Sequence, residues 1–248
     1  MAGRSHTTEA VVLRSIRFGE ADRVLHLYTL DHGRVGAVAK GVRKTTSRFG
    51  ARLEPLSHVE LVLHRGSGEL ETVTGVQLVR PHRAAREDYY RLSVGLIGAE
   101  AMLRLFSEQE ANERAFVALT RFLDLLDETP HAAERPALDP LGLAFQLKLL
   151  WLSGYLPHLT SCAECGEGAA LVGFSPRAGG AVCAGCAART EALALSAEGI
   201  AGIEALLAQP LAEAAPLALS ERARRDALRV VTASYEFHGG FRLRTLSA

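Results

Sequence analysis

Aromatic residues and lysine are both scarce in this chain of 248 residues. Aromatics make up 6% of it, with a single tryptophan. Lysine occurs only at Lys40, Lys44 and Lys148, so arginine carries most of the positive charge. That bias is expected of a GC-rich bacterial genome and does not point to a function. No apolar run approaches the roughly 20 residues that cross a bilayer. The opening MAGRSHTTEA lacks the apolar core of a signal peptide. These two absences predict a cytoplasmic protein with no membrane partner. The G-x-S-x-G, H-E-x-x-H and P-loop signatures are also missing, which removes the commonest hydrolase and nucleotide-binding readings. No catalytic residue is assigned. Neither an internal repeat nor a low-complexity tract is present, which excludes a solenoid.

Cysteine is limited to four residues, and all four are organised. Cys162-x-x-Cys165 is followed after seventeen residues by Cys183-x-x-Cys186. Each pair places two sulfurs on one tight turn, and the spacing matches a four-thiolate zinc site. Two disulfides are the alternative, but without a secretion signal the reducing cytoplasm favours metal. Gly166 and Gly185 follow or lie within the turns, where a permissive backbone is needed. Four thiolates fill a tetrahedral shell and leave no position for water, so the zinc is expected to be structural. His158 is a weaker candidate as a replacement ligand.

The formal net charge is zero, but it is unevenly spread. Residues 1–80, 81–160 and 161–248 carry +4, −3 and −1. The first third also reads as strands. TEAVVLRSI, ADRVLHLYTL, RVGAVAKG, HVELVLHR and ELETVTGVQLVR are rich in β-branched residues or alternate in polarity. Asp31-His-Gly33 is a hairpin turn with glycine at the left-handed position. Five strands with no strong helix predict a small closed barrel, an OB-fold, with an SH3-like barrel as the rival. Beyond Pro81 the period changes to that of helices, over 83–106, 109–127 and a nearly all-apolar helix opened by Asp139-Pro140. Short strands are expected between the cysteine pairs. Ser196 and Ser220 are read as caps of helices over 197–208 and 221–237. The class is therefore α+β and multidomain. The barrel occupies 1–80, the helical domain 81–160 and 191–248, and a four-cysteine zinc element over 161–190 packs with the helices.

Between Arg34 and Arg52 there are six basic residues and no acidic one. Arg34, Lys40, Arg43, Lys44, Arg48 and Arg52 are joined by hydroxyls, glycines and Phe49. Such a loop can track phosphates with its charges and stack a base on its aromatic. Tyr28 is a second stacking candidate. A basic loop that is merely solvated is the competing reading.

Gly19-Glu20-x-Asp22-Arg23, the Thr29-x-x-x-Gly33 turn, and Ala39-Lys40-Gly41 running into Arg43-Lys44 resemble the opening of the RecO family of bacterial recombination mediators. The helical middle and the late C-x-x-C pairs are similar too, so the resemblance spans essentially the whole chain. It implies an N-terminal OB-fold, a helical domain and a zinc element. It also implies binding of single- and double-stranded DNA, strand annealing, and loading of RecA onto DNA coated by single-strand-binding protein, in association with the nucleoid. The implied partners are RecR and the acidic C-terminal tail of single-strand-binding protein. DNA contact is carried onto Arg14, Arg34, Lys40, Arg43, Lys44, Arg48, Phe49 and Arg52. Arg222, Arg225 and Arg229 are candidates for the tail. The rival readings are a zinc-containing nucleic-acid-processing enzyme, with carboxylates from the helical region, and a protein-interaction scaffold.

Overall fold

A computed structural model describes residues 4–47, 49–130, 133–168 and 170–247. The chain forms two compact units, Met1–Glu128 and Thr129–Ala248.

The first unit is built on a closed barrel with strand order β1-β2-β3-β5-β4. Its strands are β1 (Arg4–Phe18), β2 (Asp22–Thr29), β3 (Gly33–Ala39), β4 (His58–Arg65) and β5 (Glu71–Arg80). This order decides for the OB-fold over the SH3-like alternative. Closure depends on β1, which pairs with β4 through its first half and with β2 through its second. An irregularity between Val12 and Arg14 bends the strand so that it can serve both neighbours. Alternation places Ala10, Val12, Leu25, Leu27, Val35, Ala37 and Leu61 inside. At the β2–β3 hairpin Gly33 has φ +64°, and a Cβ there would lie 2.0 Å from the Glu110 carbonyl oxygen. Only glycine meets both demands.

Among the described residues, this unit also contains the α-helices α1 (Arg83–Glu87), α2 (Tyr89–Leu105) and α3 (Glu113–Glu128). The periodicity predicts one helix over 83–106, whereas the chain breaks at Asp88. That residue is extended, and its carboxylate accepts a hydrogen bond from the Arg91 amide at 2.9 Å, capping a new helix. Hydrophobic period is blind to such a cap inside an otherwise continuous run.

The second unit centres on α4 (Pro140–Leu152), buried on nearly every side as its composition requires. Asp139 caps it by accepting from the Gly142 amide at 3.1 Å. It packs against α6 (Ala197–Ala208), α7 (Leu211–Ala214) and α8 (Glu221–Ser234). Ser196 and Ser220 cap α6 and α8 through the amides of Gly199 and Ala223. The last helix closes with a π-turn, Tyr235–Gly239. Here the buried Tyr235 hydroxyl donates to Gln146 Oε1 at 2.6 Å, joining the end of α8 to α4. Between α4 and α6 in the chain comes a three-stranded sheet of order β7-β6-β8: β6 (Leu171–Ser175), β7 (Gly180–Cys183) and β8 (Leu193–Ala194). The short helix α5 (Ala184–Ala187) follows β7 directly.

Candidate metal centre and nucleic-acid interface

The small sheet carries the cysteines. Cys162 and Cys165 lie on the turn that precedes it, where Gly166 takes φ +78° and its amide donates to the Cys162 carbonyl at 2.8 Å. Cys183 ends β7 and Cys186 sits in α5. The Ala163 amide donates to the Ala181 carbonyl at 2.8 Å, laying the first turn along β7. All four sulfurs fall within 4.8 Å of one another, and those of Cys165 and Cys183 are 3.9 Å apart. A tetrahedral ion with bonds of about 2.3 Å to sulfur requires separations of about 3.8 Å. The cluster therefore fits a metal ion of that size. His158 stands apart, its Nε2 2.7 Å from the Ser161 hydroxyl.

The surroundings of the sulfurs favour a cation among them. The Cys183 amide donates to Cys162 Sγ at 3.4 Å and, with the Cys165 amide, holds that thiol down to about 6. Burial, with the neighbouring sulfurs, pushes the Cys186 thiol up to about 12. Sulfurs this close together would repel if all were deprotonated; a divalent ion would remove that repulsion and take the place of the protons. The Arg189 guanidinium donates to Cys186 Sγ at 3.3 Å.

The basic segment runs from β3 into the connection between β3 and β4. Its apolar residues point inward: Phe49 is 3% exposed and joins Leu53 in the barrel core, with Val42 packed against it. This corrects the expectation that Phe49 stacks a base, because a ring that plugs the barrel offers no face to a ligand. Tyr28 is likewise fully buried, in edge-to-face contact with Phe106 at 5.5 Å. Arg34 is also committed within the fold. It donates to the Leu103 carbonyl and pairs with Glu108 at 2.8 Å, tying β3 to the α2–α3 segment. Arg48 lies outside the described residues. Arg14, Lys40, Arg43, Lys44 and Arg52 are exposed.

Three hydrogen bonds fix where the loop cations stand. The Gly41 amide donates to Asp22 Oδ1 at 2.7 Å, and the Arg43 amide to the Ala21 carbonyl at 2.9 Å. The Arg43 guanidinium donates to the Glu20 carbonyl at 3.0 Å. Lys40, Arg43 and Lys44 are thus held beside the β1–β2 turn. That turn also carries Phe18, which is 56% exposed. The exposed aromatic was missed by sequence reasoning because it belongs to a strand end, not to the basic run. Its position immediately before Gly19 is the signal that was available.

A family model described as Recombination protein O N terminal matches residues 1–82, and one described as Recombination protein O C terminal matches residues 86–247. The chain belongs to the RecO family. It is 40% identical over 237 residues to the DNA repair protein RecO of Rubrobacter xylanophilus, covering 93% of this chain and 90% of that one. The protein of the same name from Nocardioides sp. is 38% identical over 236 residues, covering 93% of each chain. That of Anaeromyxobacter sp. (strain K) is 37% identical over 237 residues, covering 94% and 91%. No helix among the described residues is long and apolar enough to cross a membrane.

For a RecO-family protein the arginines of α8 are less available than their sequence suggests. Arg225 pairs with Glu221 at 2.5 Å. Arg229 donates to the Ala194 carbonyl at 2.7 Å and reaches Asp226 at 3.4 Å, pinning β8 to α8. Arg222 is exposed. A groove of about 620 Å³ opens elsewhere in the same unit, lined by Lys148, Trp151, Leu156, His158, Glu204 and Leu207 among others. Lys148 Nζ donates to the Leu207 carbonyl at 3.2 Å, and burial lowers its pKa from the ordinary lysine value.

Proposed function

We propose that this protein is a non-enzymatic mediator of recombinational repair. In this reading it binds single- and double-stranded DNA and anneals complementary strands. With RecR it helps to load RecA onto DNA coated by single-strand-binding protein, in the cytoplasm at the nucleoid. Family membership supports the repair role. The observation that carries DNA binding is the group Lys40, Arg43 and Lys44, exposed together and anchored by backbone hydrogen bonds at one end of the barrel. Cations fixed in this way neutralise phosphates regardless of sequence and release counterions. Bringing two strands together requires neutralising both backbones, so annealing shares this charge requirement.

The cysteines take a structural role in this reading. They hold zinc, which supplies cross-linking and no open coordination position when four thiolates bind it. The sulfur set therefore favours a staple over the zinc-enzyme alternative. For the tail of single-strand-binding protein, the Lys148 groove is better supported than the α8 arginines. It combines apolar walls with an ammonium, the pairing that an acidic, apolar-ended peptide requires.

The charge-reversing combination K40E/R43E/K44E tests the central claim. Fluorescence titration against labelled single strands and duplexes at two salt concentrations should show weakened binding to both. With three phosphate-neutralising cations removed, the slope of log affinity against log salt for single strands should fall by about 2. Unchanged affinity and slope would remove DNA from this end of the barrel.

A further inference from the structure

Three polar side chains meet at one end of the barrel, where strand alternation calls for apolar ones. The pairings place the start of β1, the β2–β3 turn and the β4–β5 turn at this same end. His6 of β1 is the register partner of Leu63 on β4. Glu71, the first residue of β5, is the partner of Ala37 on β3. Leu63 and Ala37 both belong to the barrel core. Residues paired across strands share a face, so His6 and Glu71 are turned toward the interior as well. The third group is His32, in the β2–β3 turn, where its amide donates to Thr29 Oγ1 at 3.1 Å. Its ring meets that of His6 edge to face, with centroids 4.6 Å apart.

The carboxylate is poorly satisfied by the protein alone. Glu71 is 8% exposed, and its Oε2 has no hydrogen-bond partner; neither has His6 Nε2. The two atoms face one another at 3.5 Å. Among the described residues no lysine or arginine pairs with Glu71. A buried carboxylate left in this state is costly unless a cation completes it.

The spacings suit a metal ion. An ion of zinc's size takes histidine nitrogen and carboxylate oxygen at about 2.0–2.2 Å, which sets two such donors about 3.4 Å apart in a tetrahedral shell. The gap between His6 Nε2 and Glu71 Oε2 matches that separation. The same bond lengths place two imidazole centres on one ion about 4.5–5.2 Å apart, for angles from octahedral to tetrahedral. The rings of His6 and His32 fall in this range. His32 is exposed on its turn, so rotation of its side chain can bring a nitrogen to the ion. Two imidazoles and a carboxylate are the donor set of open zinc centres, and unlike four thiolates they leave a position for water.

We infer that His6, His32 and Glu71 form a second divalent-metal site, for zinc or a similar first-row ion, that clamps β1, the β2–β3 turn and β5 at this end of the barrel. It differs from the cysteine cluster in donor chemistry and does not depend on the DNA-binding reading.

Calorimetric titration of untagged protein, its cysteine site already loaded with zinc, tests this with further zinc as the probe. Wild type should take up one more ion per chain, and its thermal transition should rise with ion concentration. His6→Ala, His32→Ala and Glu71→Gln should each weaken that uptake by at least the roughly tenfold that loss of an outer-shell partner costs. Cobalt in the second site should absorb as a nitrogen–oxygen shell, without the strong sulfur-to-metal band of a thiolate site. His32→Ala changes an exposed turn residue and leaves the core intact, so the test stays readable if the other two variants fail to fold. No second ion in the wild type would leave His6 and Glu71 an ion pair only and overturn the site. Uptake at wild-type affinity by His32→Ala or Glu71→Gln would overturn it as well.

Discussion

Phe49 illustrates how one residue can be read two ways. In the sequence it is an aromatic within a basic run, which suits base stacking. In the fold it is the anchor that draws the loop into the barrel beside Leu53, leaving the cations outside. The two roles predict different phenotypes. Phe49→Ala should cost about 3–5 kcal/mol of stability by opening a core cavity, measurable by chemical denaturation. A stable variant with selectively weakened DNA binding would restore the stacking role. Arg34 shows the same inversion for charge: its guanidinium serves Glu108 and Leu103, 74 and 69 residues along the chain. No local pattern announces either partner, so the residue could only be counted as a free cation.

At the scale of elements, the cysteine ribbon and the Lys148 groove belong to the same unit but make separate demands. The three short strands enclose only a small buried cluster around Cys162, Val182, Cys183 and Cys186, so the proposed zinc would supply what a core cannot. Treatment with a strong chelator should release about one zinc per chain, read by a colorimetric indicator, and lower the thermal transition. Cys165→Ser, at the exposed sulfur, should reduce metal content while leaving the barrel's DNA affinity in place. A folded, metal-free variant that lost DNA binding selectively would overturn the structural assignment. The groove predicts that Lys148→Glu and Trp151→Ala each weaken capture of an acidic, apolar-ended peptide. Binding of that peptide at wild-type strength by both variants would exclude the groove. Helix ends were legible beforehand because a cap is local: Asp139, Ser196 and Ser220 each accept an amide hydrogen bond three residues on. Asp88 uses the same device inside a periodic run, where the apolar pattern outweighed it.

The whole molecule should be sensitive to mild acid. Burial lowers the pKa of His26, His58 and His238 from 6.5, so all three are held neutral in the folded chain. The Glu9 carboxylate, 2.8 Å from His58 Nε2, opposes the shift there without reversing it. An unfolded histidine takes up its proton near pH 6.5, before the folded one does. Stability is therefore full above that pH and falls as pH drops below it. Denaturant midpoints measured from pH 7.5 to 5 should decline, and His58→Gln should flatten the decline; an unaltered slope would exclude His58. What the sequence determined by itself is set by spacing over a few residues: the grouping of the four cysteines, the strand count of the barrel, and three helix caps. The family resemblance was carried the same way, by short motifs near the N-terminus. Only the tertiary structure decided which side chains face water. Phe49 turns in and Phe18 turns out, Arg34 is paired with Glu108 while Lys40, Arg43 and Lys44 stay exposed, and Leu70 reaches Gly36 from another turn. Exposure is a property of what folds back over a residue, and here that chain comes from far along the sequence.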